Sequence, residues 1–560
     1  MYDVVIVGSG ASGGAVAYSL CKAGFKVAML EKGRLISREE FSKDELAYCR
    51  RDLVTPNLFD EYHTIEEMVD GKWETTPTYE SGWSFFNGNI VGGSSNLMSG
   101  MFHRLHPNDF RLKSKYGDIK GANIVDWAIS YDDLEPYYTM AEEVVGISGK
   151  FKPHPFEPKR STKDFPLPPT NENEIVKLLD KSCKELDIAS LITPRAVLSK
   201  DRVGRNACYY SDRCGSYGCS SGAKGSSREA LLTPALATNN LTLMTNSHVK
   251  YFKSDKKRVT EAVVIDTITN KERVVKGKIF ILASQAHESS RLLLNSANKY
   301  HRNGLSNSSD EVGKNLIFSG GGSGGGVFSK DNLADVKFDD MMKSGLFVNR
   351  SILDWYFVDD WWKGKFKGGL VEFMFEHQNI ISRATKQIYN SDDTLSWGEA
   401  LGDRLVDKFT KQKTLRFEIF NDWLPNNNCF VSLDKTHKDK YGMPVGKLRL
   451  EGHPQDVKVG KYIAKKCEKI LEKMGAKDIY SSVSSSPPQN LVAGGCRFGD
   501  NPKNSVLNSK CQSHDISNLF VVDASFMPTG GSVAYSWTIY ANAFRVADII
   551  KKEFKTITDI

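Results

Sequence analysis

Three glycines near the N-terminus are spaced to bind the phosphates of a dinucleotide. Gly8, Gly10 and Gly13 follow an apolar run at residues 3–7. In this pattern the first glycine permits a tight turn, the second lets the backbone approach a pyrophosphate, and the third lets helix and strand pack closely. Glu31 stands 18 residues after Gly13, where a carboxylate accepts hydrogen bonds from a ribose hydroxyl. The pattern predicts a dinucleotide site and does not choose between FAD and NAD.

Three cysteines form a second group of residues that can bind a cofactor. Cys208, Cys214 and Cys219 are separated by five and four residues in a loop of small and polar side chains. Thiolates at short spacings hold iron–sulfur clusters, but these spacings differ from the common cluster patterns and no proline follows the last cysteine. We therefore predict free thiols without a metal and keep a cluster as the alternative. Other cysteines, such as Cys21 and Cys183, fall among apolar helical positions and are predicted to be buried.

The elements around the glycine turn have the pattern of a nucleotide-binding domain. The apolar run 3–7 predicts a strand, residues 11–23 predict a helix, and residues 26–30 predict a second strand. Near the C-terminus, residues 519–523 predict a strand and residues 536–554 a closing helix. Because this pattern occurs at both ends of the chain, we predict one discontinuous nucleotide-binding domain.

A different kind of region interrupts this domain. A run of serine and glycine at 319–326 opens it, and residues 327–450 are rich in aromatic, strand-like segments. Residues 369–376 are apolar over a long patch, as expected for one face of a sheet that covers a ligand. We therefore predict an inserted substrate domain. The predicted nucleotide-binding domain comprises residues 1–150, 200–318 and 486–560, and the predicted substrate domain comprises residues 151–199 and 319–485.

Length and composition exclude several classes of protein. The chain has 560 residues, of which 40% are hydrophobic and 26% are charged, so it is not an intrinsically disordered protein. Its net charge of +7 is spread without a basic stripe, so no nucleic-acid partner is predicted. No stretch reaches the roughly 18 apolar residues of a membrane span, and the first residues lead into a strand rather than a signal peptide. We expect a cytoplasmic protein, unless a partner that carries its own signal exports it.

Five further segments carry a family resemblance, in the order 91–96, 104–110, 132–138, 283–294 and 518–528. Together they resemble motifs of the glucose-methanol-choline (GMC) oxidoreductases, which are FAD-dependent alcohol and sugar oxidases or dehydrogenases. The likeness is closest to bacterial membrane-associated sugar and gluconate dehydrogenase large subunits, on the strength of residues 107–114 and 214–224. The resemblance implies an α/β fold, in which a Rossmann-like FAD-binding domain carries an inserted and mostly antiparallel-sheet substrate domain.

The glycine pattern and the resemblance together predict which residues contact FAD. Small residues let the backbone approach the flavin, and a hydrogen bond near its N1 and O2 atoms stabilises the reduced anion. The predicted contacts are Gly8, Gly10, Ala11, Ser12, Gly13, Glu31, Gly93, Ser94, Asn96, Val249, Ala283, Asp523, Ala524 and Thr538.

The residues that usually remove a proton in this family are absent from their usual positions. Relatives transfer a hydride to flavin N5 while a nearby histidine takes the hydroxyl proton, a step that suits a base with a pKa near neutral. Leu491 occupies the position of that histidine, and Ala534 occupies that of a second histidine or an asparagine. The sequence does not identify the base. Candidate replacements, each of which can equally be a structural residue, are His103, His377, Glu372, Glu376 and Tyr535.

The leading functional hypothesis is FAD-dependent oxidation of an alcohol group on a sugar or sugar-derived small molecule. Two alternatives stay open: a flavin reaction other than alcohol oxidation, and a catalytically silent FAD-binding subunit. Trp355, Trp361 and Trp362 of the inserted region can stack on a sugar ring or pack in a core. The resemblance also allows a small or electron-accepting partner subunit, since a cluster in such relatives passes electrons to a haem partner rather than to dioxygen.

Overall fold

The computed structural model describes residues 1–46, 59–83, 85–211, 213–333, 337–343, 345–358 and 367–559. Within these ranges the strands are β1 (Tyr2–Val7), β2 (Val27–Leu30), β3 (Thr64–Val69), β4 (Lys72–Pro77), β5 (Leu191–Ile192), β6 (Leu241–Met244), β7 (Ser247–Ser254), β8 (Val259–Asp266), β9 (Glu272–Val275), β10 (Gly277–Leu282), β11 (Gly322–Ser329), β12 (Phe347–Ile352), β13 (Gly369–Phe375), β14 (Gln412–Asn421), β15 (Cys429–Lys438), β16 (Pro444–Leu450), β17 (Lys477–Ser482) and β18 (Leu519–Val521). The helices are α1 (Ala11–Lys22), α2 (Thr78–Ser81), α3 (Leu112–Tyr116), α4 (Tyr131–Val145), α5 (Ile175–Glu185), α6 (Thr233–Leu236), α7 (Ala286–Asn295), α8 (Phe338–Lys343), α9 (Ile380–Thr385), α10 (Gly398–Val406), α11 (Pro454–Lys473) and α12 (Ser536–Thr558).

Strands from both ends and from the middle of the chain form a five-stranded parallel sheet. Its strand order is β18-β10-β1-β2-β6. The central strands are short apolar runs and are buried, as is typical of parallel strands covered on both faces. Helices α1 and α12 pack together on this sheet. The predicted strand, helix and strand at the N-terminus are confirmed, and the closing helix extends to Thr558.

A six-stranded sheet forms the second layer that matters for the site. Its strand order is β17-β11-β14-β13-β12-β5, and every neighbouring pair is antiparallel. Helix α11 covers one face, where Ile463 packs in the same core as Val371 and Phe417. The register places Ser323 of β11 opposite Glu418 of β14. The predicted α/β fold with an inserted antiparallel sheet is confirmed.

The run of serine and glycine at 319–326 leads into strand β11. At Gly324 an added Cβ atom would lie 2.3 Å from the carbonyl oxygen of Tyr480 and 2.4 Å from the ring of Phe417. Real Cβ atoms do not approach other atoms so closely, so only glycine allows the neighbouring strands to pack here. The glycines therefore belong to a tightly packed strand rather than to a flexible linker.

Two smaller sheets complete the fold. Strands β7, β8 and β9 form a meander, and the fourth sheet has the order β15-β16-β3-β4. In that sheet β3 pairs with β16. Residues 64–77, which we assigned to the nucleotide-binding domain, therefore share a sheet with strands that we assigned to the substrate domain. The predicted domain boundaries stay a prediction. Among the helices of the described residues, none combines the length and the apolar character of a membrane span.

Truncating a side chain in the parallel sheet should destabilise the protein. Ile281 of β10 is fully buried, whereas Ile268 is 73% exposed in a turn. We expect Ile281→Ala to cost about 2–5 kcal/mol because it leaves a cavity, and Ile268→Ala to change stability by less than about 0.5 kcal/mol. Urea unfolding followed by intrinsic fluorescence measures the difference. Equal midpoints for the two variants would contradict the assigned packing.

Candidate active site

A cavity of about 690 Å³ lies between the two main sheets. One wall contains the turns that follow β1, β2 and β10, and the other contains Ser323 and Glu418 of the antiparallel sheet. Open α/β sheets bind ligands outside the carboxyl ends of their parallel strands, which is where this cavity lies. Its volume is within the usual range of about 300–1,000 Å³ for ligand sites. We therefore treat it as the candidate active site.

The glycine turn has the geometry of a phosphate site. At Gly8, whose φ is +98°, an added Cβ atom would lie 2.4 Å from the carbonyl oxygen of Ala283, so this close approach needs glycine. A Cβ atom added at Gly10 would meet no neighbouring atom within 4 Å, and Gly10 lines the cavity. Helix α1 begins there without a side-chain cap. Its first N–H groups are therefore available to a phosphate.

Glu31 lies at the carboxyl end of β2 and lines the cavity. Its carboxylate accepts hydrogen bonds from the backbone N–H of Ser9 (3.0 Å) and that of Gly33 (2.8 Å). Burial raises the pKa of Glu31, and these hydrogen bonds act in the opposite direction. The contacts fix the carboxylate beside the glycine turn, where it can accept a hydrogen bond from a ribose hydroxyl.

Most of the predicted FAD contacts share this cavity wall, namely Gly8, Gly10, Ala11, Ser12, Glu31, Gly93, Ser94, Val249, Ala283, Asp523 and Ala524. The other three lie behind the wall among the described residues. Gly13 packs against the carbonyl oxygen of Gly8. The side-chain amide of Asn96 donates to the carbonyl oxygen of Gly93 (3.0 Å), and the hydroxyl of Thr538 lies 2.8 Å from that of Tyr138. These three residues position the wall.

The cavity also contains the two positions at which we expected relatives to have a proton acceptor. Leu491 and Ala534 both line it. Leu491 has a φ of +56°, a left-handed conformation that is uncommon for a bulky residue and that concentrates at functional sites. The backbone bridge between Ile317 and Ala493 brings this segment beside Ser319. Leu491 and Ala534 therefore give this part of the cavity an apolar surface.

A buried polar cluster adjoins this apolar surface. Ser319 pairs through its backbone with Asp422, and Ser319 and Tyr535 line the cavity. A Cβ atom added at Gly530 would lie 2.4 Å from the hydroxyl oxygen of Tyr535 and 3.2 Å from Oδ1 of Asp422. The phenol and the carboxylate therefore both lie next to Gly530. Burial raises the pKa of Tyr535, the charge of Asp422 raises it further, and Ser319 opposes the shift.

Asp422 connects this cluster to buried charges away from the cavity. Its Oδ1 atom accepts a hydrogen bond from the backbone N–H of Gly530 (3.1 Å), and Nζ of Lys367 lies 3.6 Å from its Oδ2. Lys367 also pairs with Asp109, which accepts a hydrogen bond from the hydroxyl of Tyr356 (2.6 Å). Burial raises the pKa of Asp422, while Lys367 lowers it.

His377 lines the same cavity at the other end from Tyr535. In the pairing of β13 with β14, Phe375 is opposite Leu415 and Gly369 is opposite Asn421. These two pairs are six residues apart, which is about 20 Å at about 3.3 Å per residue. His377 lies beyond the first pair, and Asp422 directly follows the second. The paired length of β13 and β14, about 20 Å, therefore lies between the backbone of His377 and that of Asp422.

The other candidate bases lie outside the cavity wall among the described residues. Nε2 of His103 lies 2.6 Å from Oε1 of Glu372, and both side chains are buried. Glu372 also accepts a hydrogen bond from Thr193 (2.7 Å). Glu376 pairs with Arg383 at 3.2 Å. The structure gives these residues partners of their own and does not bring them to Leu491.

The sequence allowed two roles for the tryptophans of the inserted region, stacking on a sugar ring or packing in a core. Trp355 is 7% exposed and packs in the core of the antiparallel sheet, so core packing is confirmed for this residue. Among the described residues Trp355 does not line the cavity. Trp361 and Trp362 lie outside the described residues.

The cysteine loop lies beside the cavity. Cys208, Cys214 and Cys219 are free and partly buried, and the intervening Gly215 lines the cavity wall. Burial alone would raise the pKa of Cys219, but the Lys224 ammonium group lowers it below its ordinary value. The predicted burial of Cys21 and Cys183 is confirmed. The iron–sulfur alternative for the loop stays a prediction.

Sequence analysis missed Ser319, Asp422 and Glu418. Ser319 and Asp422 are 103 positions apart, and although Ser319 begins the serine and glycine run 319–326, that run did not indicate a functional role for it. Glu418 had a detectable signal, since it interrupts the apolar strand β14 between Phe417 and Ile419. A charge at such a position indicates that the strand has one face toward a polar site.

The comparisons with known proteins agree with this geometry. Two family models described as GMC oxidoreductase match residues 2–318 and 425–543. The 2-methyl-1,2-propanediol dehydrogenase of Mycolicibacterium austroafricanum is 28% identical over 100% of this chain and 96% of its own length. Paromamine 6'-oxidase of Streptomyces fradiae is 28% identical over 98% and 91%. The fructose dehydrogenase large subunit of Gluconobacter japonicus is 27% identical over 99% and 98%.

A solved structure shows the same fold over nearly the whole chain. The formate oxidase of Aspergillus oryzae RIB40, in a study of FAD modification, has a TM-score of 0.63 at 16% identity and covers 99% of both chains. The open backbone at Gly10 and the fixed carboxylate of Glu31 fit FAD. Because one family model alone matches more than half of the sequence, this chain belongs to the GMC oxidoreductase family and is an FAD-dependent oxidoreductase that acts on CH–OH groups.

Proposed function

We propose that the chain oxidises an alcohol group of a sugar or sugar-derived substrate, and that Tyr535, Ser319 and Asp422 manage the hydroxyl proton. The observation that carries this proposal is the buried polar cluster at the end of the cavity where Leu491 and Ala534 lie. Because this end lacks the usual histidine, the proton needs another acceptor. The cluster supplies one beside the same position.

The polar groups of the outer wall support a polyhydroxylated substrate. Hydroxyl, carboxyl and amide side chains line the cavity at Ser323, Glu418, Ser482, Ser484 and Asn490. Such groups can accept hydrogen bonds from several substrate hydroxyls and donate hydrogen bonds to others at the same time. Two relatives are named for fructose and paromamine, which supports a sugar or an amino sugar here.

The chain's own task in this reaction is to accept a proton. Bound FAD supplies the acceptor for the hydride that leaves the substrate carbon. Tyr535 Oη and Oδ2 of Asp422 have no hydrogen-bond partner among the described residues. We propose that substrate binding brings the two groups within hydrogen-bond distance, and that the substrate O–H bond breaks as Tyr535 Oη takes its proton while the original phenol proton of Tyr535 passes to a carboxylate oxygen of Asp422. Tyr535 thus stays neutral, and Asp422 ends the step protonated.

The electrostatics of the cluster suit this direction of transfer. A buried phenol with a raised pKa does not ionise readily, so Tyr535 cannot serve as a base alone. The raised pKa of Asp422 makes its carboxylate a stronger base than an exposed aspartate. Lys367, which is paired with Asp109, opposes this effect and favours the charged form of Asp422 before the reaction.

A partner subunit that accepts electrons is a further part of the proposal. It is supported by the relative that is named a large subunit. Reoxidation of the reduced enzyme by dioxygen and by an artificial quinone can be compared directly. Fast reoxidation by the quinone and slow reoxidation by dioxygen would favour a partner.

Removing the phenol or the carboxylate should slow the chemical step. We expect Tyr535→Phe and Asp422→Asn each to lower the rate of anaerobic flavin reduction by about 10²–10⁴-fold, the range for general acid–base groups. The double variant should be little slower than either single variant, because the two residues act as one unit. Stopped-flow absorbance with a panel of sugars, amino sugars and diols measures these rates.

The matched control is Tyr300→Phe, since Tyr300 is half-exposed and does not line the cavity. All variants must retain FAD, as judged by absorbance. Unchanged rates in Tyr535→Phe would refute the relay. If no hydroxyl compound reduces the flavin while dithionite does, the alternatives of another flavin reaction or a silent subunit replace the proposed function.

The relay also predicts the sign of the pH dependence. Only the deprotonated carboxylate of Asp422 can accept a proton, and burial raises its pKa. We therefore expect the flavin-reduction rate to fall as the pH drops through this raised pKa and to be constant above it. The residual activity of Asp422→Asn should lack that acidic limb. An identical limb in Asp422→Asn would show that another group titrates.

A further inference from the structure

A second cluster of ionisable side chains lies away from the proton relay, where helix α7 meets the sheet of β3 and β16. His63 directly precedes β3, and His287 and Glu288 lie in the first turn of α7. The imidazoles are buried, with 8% and 0% of the residues exposed. The mechanism proposed above uses none of these three side chains.

The three side chains converge on a small volume. Nε2 of His63 lies 3.3 Å from Oε1 of Glu288, and Nε2 of His287 lies 3.7 Å from the same oxygen. One nitrogen from each ring and the carboxylate oxygen all lie within 4.8 Å of one another. Ligands at about 2.0–2.1 Å from a tetrahedral zinc ion are about 3.3–3.4 Å apart. The distance from His63 to Glu288 already matches this spacing, and the distance from His287 to Glu288 is slightly longer.

Neighbouring groups hold one ring in place and offer a further ligand. The ring of Phe85 stacks on His287 with centroids 3.5 Å apart. Nδ2 of Asn87 lies 3.3 Å from Nε2 of His287, while Oδ1 of Asn87 is buried without a hydrogen-bond partner among the described residues. The two amide atoms are exchangeable by rotation. Rotation would turn an unsatisfied oxygen toward the cluster.

The acidic side chains around the cluster favour the binding of a cation. Arg291 pairs with Glu288 (3.4 Å) and with Asp439, and Lys32 pairs with Glu61. Without the more exposed Lys440, three carboxylates face the buried Arg291 and the partly buried Lys32, which leaves one net negative charge. Lys440 also approaches Glu61, at 3.5 Å, but its side chain is 39% exposed and lies at the edge.

We propose that His63, His287 and Glu288 bind a zinc-class divalent cation, with the amide oxygen of Asn87 or a water molecule as the fourth ligand. Two imidazoles and one carboxylate are a ligand set that zinc favours. Cys208, Cys214 and Cys219 are a different, sulfur-based donor set on another loop.

The cation would act as a structural clamp. The start of α7 contributes Ala286 and Glu288 to the cavity wall, and Asn87 lines the same wall. Binding would join the segment before β3 to this helix across 224 positions of sequence. It would thereby stabilise the FAD cavity without taking part in the reaction.

Zinc content of the FAD-loaded protein tests this proposal. The holoprotein is incubated with Zn²⁺, desalted, and analysed by elemental mass spectrometry against FAD absorbance. We expect about one retained zinc per chain, lost in His287→Gln and in Glu288→Gln. The matched control is His301→Gln, because His301 is a partly exposed histidine whose ring contacts the backbone of Asp255. Zinc should raise the melting temperature of the wild type and the control only.

X-ray absorption at the zinc edge of the wild-type protein separates the possible ligands without any variant. Nitrogen and oxygen neighbours support the proposed site, whereas sulfur neighbours assign the metal to the cysteine loop and overturn it. Absence of zinc after desalting, or equal retention by His287→Gln, also overturns it. FAD content and melting temperature in the absence of zinc show whether each variant is folded.

Discussion

The close approach of Gly8 to the carbonyl oxygen of Ala283 is the contact on which the architecture depends. Any side chain at Gly8 would meet that oxygen at 2.4 Å and separate β1 from the segment after β10. The approach aligns the carboxyl ends of the parallel strands and starts α1 at the cavity. The phosphate turn and the floor of the cavity depend on this backbone contact, and the pairing of β2 with β1 then brings Glu31 beside the turn.

The second sheet determines which chemistry can occur above that floor. Its register places the serine and carboxylate side chains of β11 and β14 along the cavity, while the strand ends bring Ser319 and Asp422 together. Burial makes the Asp422 carboxylate more basic and keeps the Tyr535 phenol neutral. A neutral phenol and a strongly basic carboxylate can together move a proton without a histidine.

The sequence predicted the nucleotide-binding half well because its signals are local. The glycine spacing, the apolar strands and the acid after β2 all lie within the first 31 residues, and the predicted elements there are confirmed. The later motifs were sufficient to identify FAD and the inserted antiparallel sheet. Composition also separated buried thiols such as Cys21 from the loop cysteines.

The candidate site beyond FAD could not be predicted in the same way. Ser319 and Asp422 meet through strand pairing across about a hundred residues, and His63 meets His287 across an even longer separation. His377 and Tyr535 looked equivalent as candidate bases in the sequence. Only the register of β13 with β14 shows that they lie at opposite ends of one cavity.

The backbone of Leu491 has a consequence for how this active site can change. Its φ of +56° is a conformation that histidine adopts more readily than most residues. Exchanging leucine for histidine at this position would therefore alter the chemistry of the cavity without requiring a new loop. The backbone at this position therefore accepts a residue that titrates near neutral pH as well as an apolar one.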